Sequence, residues 1–200
     1  MLKNTSQTTK WAIGSAALVV VILLYVLWAN PSTPPADFLE ARIAAVGAVN
    51  NLAQLVDNSL ANLEKVDTFT KNENDIEAQN LIGFEFQQRA EKQNAALRLA
   101  LQLDQMAKTA PSIRSSRART YAVQSITSGV AMVSRIISYN NNLDQLFTAI
   151  QQKIQYKNQP NPTNIRALSA NLNADAKAIN GLSKEFNDAL AQFDKEYGIK

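Results

Sequence analysis

The chain has 200 residues without a single histidine or cysteine, which excludes disulfides, thiolate chemistry, His-based triads and metal sites built on Cys or His. Its net charge is +3, and Lys3 and Lys10 supply two of those charges before any foldable segment begins. The pI near 9.1 therefore reflects the missing histidine buffer, and nucleic acid is not an expected partner.

Residues 1–10 form a short tail carrying the two lysines. From Trp11 to Ala29 the sequence reads WAIGSAALVVVILLYVLWA, with no charge and Ser15 as its one polar side chain. A helix over 11–29 would span about 28 Å, close to a bilayer's hydrocarbon thickness. Trp11 at one end and Tyr25 with Trp28 near the other suit the two headgroup boundaries. The stretch exceeds the roughly 15 residues of a signal-peptide core, and Leu27 stands where cleavage wants a small residue. It reads as a single-pass transmembrane helix. Lys3 and Lys10 precede it while Asp37 and Glu40 follow, so the N-terminus is expected in the cytoplasm and the remainder outside, periplasmic in a bacterial host. The spacings Gly14/Ala17 and Ala12/Ala16 would permit close approach of a second anchor in a homo-oligomer.

Residues 30–35, NPSTPP, form a proline-rich linker that breaks this helix. The next helix is expected to start with Thr33 as N-cap and Pro34 in its first turn. Leu39, Ile43, Val46, Val49, Leu52, Val56, Leu60, Leu63 and Val66 recur at steps of three and four, carrying helix 1 to about Phe69. KNEN at 71–74 is a polar break, after which Asn74 and Glu77 have capping-box spacing and Ile76 opens a second stripe. Helix 2 is expected to bury Leu81, Phe84, Leu97 and Leu101. LRLALQL at 97–103 alternates like a strand, but helical patterning on both sides makes it a wide apolar helix face. Pro111 ends helix 2, with Ser112 as the expected next cap. Helix 3 carries Ile113, Tyr121, Ile126, Val130, Val133 and Ile137, then Leu143, Leu146, Ile150 and Ile154, with a kink expected at Asn140–Asn142. After the loop NQPNPT at 158–163, helix 4 shows Ile165, Leu168, Leu172, Ile179, Phe186, Leu190 and Phe193, and Gly198 is its natural stop.

These readings define an all-α protein: an N-terminal transmembrane helix followed by an antiparallel up-down four-helix bundle over 36–200. Helices of that length make a rod of roughly 50 Å. Up-down topology brings the turn after helix 2 to the anchor end. That turn is basic, with Lys108, Arg114, Arg117 and Arg119 within twelve residues and no acid among them. The four are candidate lipid-headgroup contacts, at up to about 1 kcal/mol per charge on an anionic surface. The plainer reading is a solvated helix start beside cations that suit the C-terminal end of helix 2. Glu85, between Phe84 and Phe86, has the setting of a carboxyl with a raised pKa, but no second carboxylate or base is spaced to serve it. Its plainer reading is an outward side chain pairing with Arg89 four residues on. Tyr121, Tyr139 and Tyr156 read as core or boundary aromatics. No catalytic, metal or cofactor site is expected.

Asn164, Ala167, Leu168, Leu172, Ile179, Phe186, Asn187, Ala189, Leu190 and Phe193 stand at the intervals of a closing-helix pattern, N-x-x-A-L-x3-L, then an aromatic-Asn pair and a second aromatic. In this, and in the layout of one anchor followed by a bundle, the chain resembles the LemA family. The family's Q-R-R-A-D-x-x-P-N-L segment corresponds here only to Gln87-Gln88-Arg89-Ala90-Glu91, with Asn94-Ala95-Ala96 in place of its Pro-Asn-Leu. The resemblance implies a bundle without a defined chemistry, usually drawn on the cytoplasmic side, opposite to the charge reading. The expected function is a membrane-tethered, non-enzymatic scaffold that binds membrane lipid and a membrane or envelope protein. The alternative is a ligand-sensing bundle acting through a signalling partner.

Overall fold

Helix α1 spans Ala36–Lys71. It starts two residues later than Thr33 would set it: Pro35 is the N-cap with φ −56° and ψ 132°, no side chain caps the helix, and Asp37 supplies a negative charge to its first turn. The structure, a computed structural model, describes residues 33–156 and 165–199, so the apolar stretch 11–29 and the loop 158–163 lie outside the described residues. The chain divides into two units, Met1–Thr33 and Pro34–Lys200, and the second holds every helix described below.

α1 closes through a left-handed residue. Asn74 N–H donates to the Phe69 carbonyl at 2.9 Å and Glu73 N–H to the Thr70 carbonyl at 3.3 Å, with Glu73 at φ 57°. This is a Schellman turn with a glutamate where glycine is usual. Helix α2, Asp75–Thr109, follows at once; Asn74 is its N-cap, but its side chain makes no capping bond, so the capping box does not form. A single 3₁₀ turn, Ala110–Ser112, holds Pro111. Helix α3 then runs Ser116–Gln155, capped by Ser115, whose Oγ accepts from Ala118 N–H at 3.3 Å. The cap thus lies three residues beyond Ser112. No interruption occurs at Asn140–Asn142: the helix is continuous there, and Asn142 Nδ2 donates to Asp175 Oδ2 at 2.9 Å. Helix α4, Ile165–Tyr197, ends at Gly198 with φ 64°, where Ile199 N–H reaches the Asp194 carbonyl at 3.0 Å.

Each helix runs back along its predecessor. Ser59 of α1 meets Glu85 of α2, Phe86 of α2 lies edge-on to Phe147 of α3, and Arg135 of α3 meets Asp175 of α4. The ring closes where Phe38 of α1 stacks on Phe193 of α4 with centroids 4.9 Å apart. This is a helical bundle of four, with no strand among the described residues. Pro35, the 110–115 turn and Gly198 share one end, and the 72–74 turn lies at the other. No helix of the described residues is long and apolar enough to cross a membrane.

Inward positions recur at steps of three, four and seven. On α4 they are Leu172, Asp175, Ile179, Phe186, Leu190 and Phe193, so the apolar stripe there is core as expected. On α2 they are Ala78, Ile82, Glu85, Lys92, Ala96, Leu99, Leu103 and Met106. Phe84, Leu97 and Leu101, expected in the core, are exposed, and so are Ile43 and Ile76. α3 is corrected in the same way: its first half faces inward through Ala118, Ala122, Ser125, Gly129 and Met132, while Val130 and Ile137 point out. Gly129 makes this packing close, since a Cβ there would lie 2.6 Å from Leu103 Cδ2.

Candidate functional site

Three features of the bundle stand apart from ordinary core packing: a buried charge cluster, a basic turn and a charge-poor outer face.

The charge cluster follows from the α2 stripe. At heptad spacing, positions 85 and 92 fall on the inward face, so Glu85 and Lys92 enter the core together. Their side chains are 2% and 4% exposed, and Lys92 Nζ lies 2.7 Å from Glu85 Oε2. From α1, Ser59 Oγ donates to the same oxygen at 2.9 Å and Asn62 Nδ2 donates to Oε1 at 2.6 Å. The glutamate therefore points inward to Lys92, not outward to Arg89. Arg89 instead reaches Asp144 of α3 at 3.0 Å. Burial pushes the Asp144 carboxyl above its ordinary range, against the opposing charges of Arg89 and Lys92. Burial likewise pushes the Tyr139 phenol well up, with the charge of Glu85 acting in the same direction. Its hydroxyl donates to the Val56 carbonyl at a long 3.4 Å, linking α3 to α1 across the core.

Chemically this cluster is a closed network. Glu85 accepts three hydrogen bonds, from Ser59, Asn62 and Lys92. Glu85 and Lys92 both belong to α2, so the pair moves with that helix; what ties it to α1 in this register is the two hydrogen bonds from Ser59 and Asn62, which any other register would lose. No three acidic side chains among the described residues converge to hold a metal ion.

The basic turn divides into two parts. Lys108 pairs with Asp104 at 2.6 Å, and Arg119 donates from Nε and Nη2 to the Ile113 carbonyl at 3.0 and 2.8 Å, tying the turn to the start of α3. Arg114 and Arg117 are exposed and make no ion pair among the described residues. No acid stands in the first turn of α3, so these cations oppose the helix dipole. A sequence that tolerates this cost has no local reason to keep it.

The outer face lies on α2 and α3. From Thr120 to Gln152 only Arg135 and Asp144 are charged, in a chain that is 18% charged, and both are held in interhelical ion pairs. Val123, Val130 and Ile137 on α3 and Leu97 and Leu101 on α2 are each 51–59% exposed. Beside them a groove of about 360 Å³ runs between Ala96, Leu97 and Ala100 of α2 and Val133, Ile137 and Asn140 of α3. Its lining holds no charge. The apolar stripes of the sequence placed Leu97, Leu101, Val130 and Ile137 in the core and did not include Val123. The signal that distinguishes the two faces is LRLALQL itself, whose Leu99 and Leu103 turn inward and whose Leu97 and Leu101 turn outward.

No protein-family model matches the chain, and no curated protein or solved structure resembles it significantly.

Proposed function

We propose that the chain is a membrane-tethered, non-enzymatic helical bundle that serves as a protein-interaction scaffold. The observation that carries the interaction is the charge-poor stretch Thr120–Gln152 of α3, whose Val123, Val130 and Ile137 stand exposed beside Leu97 and Leu101 of α2. Depletion of charge is the compositional mark of an interface centre, and contiguous exposed apolar surface marks a binding site. The tether rests on the stretch 11–29, and the resemblance to the LemA family rests on the α4 residues alone. A scaffold also accounts for the sealed state of Glu85 and Lys92, which organise the bundle without meeting solvent.

The experiment has two arms. Membranes from cells making the full chain are extracted with alkaline carbonate, and the protein should stay in the pellet; release would overturn the tether. A photo-crosslinking residue in place of Leu101 should then capture protein, while one in place of the exposed Lys177 on α4 should not. Equal capture, or none, from the two positions would overturn the scaffold reading.

A further inference from the structure

The α2–α3 interface is filled at two levels and hollow between them. Phe86 lies edge-on to Phe147 with centroids 6.2 Å apart, and Arg89, one turn on, meets Asp144 at 3.0 Å. Farther along α2, Leu103 occupies the space left by Gly129. Between these levels the antiparallel register sets Ala96 opposite Ile137 and Ala100 opposite Val133. Two methyl groups cannot fill what larger side chains fill above and below, and the groove of about 360 Å³ is the space that remains. Its ends differ in chemistry. Three amides, Gln93, Asn140 and Asn141, stand at the end beside Arg89 and Asp144, and the opposite end, at Ala100 and Val133, is apolar.

Asn140 is the residue that points to an occupant. It lines the groove, it is 7% exposed, and its side-chain amide has no hydrogen-bond partner among the described residues. A buried amide left unpaired costs free energy, and a partner seated in the groove would relieve it. Asn142, two residues on, is by contrast satisfied by Asp175 of α4. We infer that the groove binds a neutral amphipathic small molecule. Its apolar body, about 10 Å long, lies between Ala96, Ala100 and Val133, and its head, carrying both a hydrogen-bond donor and an acceptor, meets the Asn140 amide. The head is uncharged for a physical reason. No charged side chain lines the groove, and Arg89 and Asp144 beyond its end are paired with each other, so an ion would lose hydration without gaining a counter-ion. The volume falls within the roughly 300–1,000 Å³ of small-molecule sites, which likewise combine apolar walls with a few convergent polar groups. Leu97 and Ile137 stand exposed at its rims, so the groove opens to the outside. The inference is independent of the scaffold and of the tether, neither of which uses these amides.

The chain has no cysteine, so a single thiol placed in the groove reports its occupancy. The full chain carrying Ala100→Cys is treated with N-ethylmaleimide in membranes of the expressing cells, with Lys177→Cys at an exposed position of α4 as the reference. The probe is nonanamide, an uncharged donor-and-acceptor head on an apolar tail. At about ten times its dissociation constant it should slow labelling at position 100 about tenfold and leave position 177 unchanged. Nonanoate, the same tail with an ionised head, should slow labelling less than about twofold at that concentration. Asn140→Leu in the Ala100→Cys chain should abolish the protection without lowering the thermal melt, since it removes an unpaired amide. Ala96→Leu, which fills the groove from the opposite helix, should abolish it too and decides the matter if the first variant does not fold. Equal slowing at positions 100 and 177, or none at 100, would overturn the site. Protection by nonanoate equal to that by nonanamide would overturn the neutral head, and protection that survives Asn140→Leu would overturn the role of that amide. A failure of photo-crosslinking at position 101 falls on the scaffold reading and leaves this one standing.

Discussion

Glu85 and Lys92 place opposite charges in a core made mainly of aliphatic and aromatic side chains. Desolvating both ions offsets most of their mutual attraction, so the pair contributes specificity more than stability. Removing one partner leaves the other charge buried and alone. Lys92→Met should therefore destabilise the bundle by about 3–5 kcal/mol, whereas Glu85→Met with Lys92→Met should recover most of that loss. Recovery will be incomplete, because Ser59 and Asn62 lose their acceptor. Urea unfolding of the two variants and the wild type closes the cycle. Asp144 and Asp194 offer a second residue-scale test. Burial raises both carboxyls, although Arg89 and Lys92 oppose it at Asp144 and Arg42 at Asp194. The folded chain then binds these protons more tightly than the unfolded chain does. Ionising them costs stability as pH rises from the ordinary carboxylate range into the raised one. Between about pH 4 and pH 6 the Tm of Asp144→Asn with Asp194→Asn should fall less with rising pH than that of the wild type.

At the scale of the element, α2 shows why part of the fold was legible and part was not. The α4 stripe is plain because Leu172, Ile179, Phe186, Leu190 and Phe193 are all apolar and all inward. The inward stripe of α2 keeps the same steps but carries Glu85 and Lys92, with Arg89 at the heptad position between them, so hydrophobicity is lowest where register matters most. Phe84, Leu97 and Leu101 supply a competing apolar pattern on the outer side. α3 repeats the problem with small residues, since Ala118, Ala122, Ser125 and Gly129 pack inward while the larger Val130 and Ile137 do not. Exposed Val and Ile outweigh buried Ala and Gly in any count of periodicity. Leu99→Ala should therefore cost about 2–5 kcal/mol, and Leu97→Ala, two residues away, within about 0.5 kcal/mol, by urea unfolding. The turn between α1 and α2 yields an opposite sign. Glu73 occupies a left-handed conformation that costs an L side chain about 1–2 kcal/mol, so Glu73→Gly should stabilise by about 0.5–1 kcal/mol despite its larger unfolded-state entropy. A lower Tm for that variant would mean that the left-handed turn carries no strain.

For the molecule as a whole, the proposed tether bears on one end of the bundle, the end shared by Pro35 and the 110–115 turn. Because α1 and α3 point the same way, the start of α3 lies beside the place where the chain enters the bundle. If 11–29 sits in a bilayer, as proposed, the linker 30–35 can span no more than about 21 Å, and the turn can then come within reach of headgroups. Of the four basic residues there, Lys108 is engaged with Asp104 and Arg119 with the Ile113 carbonyl, which leaves Arg114 and Arg117 as the cations available to lipid phosphate. The full chain, reconstituted in phosphatidylcholine vesicles with a spin label at position 116, should show slower label motion when phosphatidylglycerol is added. A label at position 72, at the opposite end and about 50 Å away by helix length, lies far beyond the screening length and should not respond. Arg114→Glu with Arg117→Glu should abolish the response at position 116 and leave the thermal melt unchanged, because exposed charges contribute little to stability. Arg119→Glu is the contrasting variant: it should loosen the turn and lower the Tm, since its guanidinium holds a backbone carbonyl. An identical response from positions 116 and 72 would mean that the basic turn does not face lipid, and its charge would then serve solubility alone.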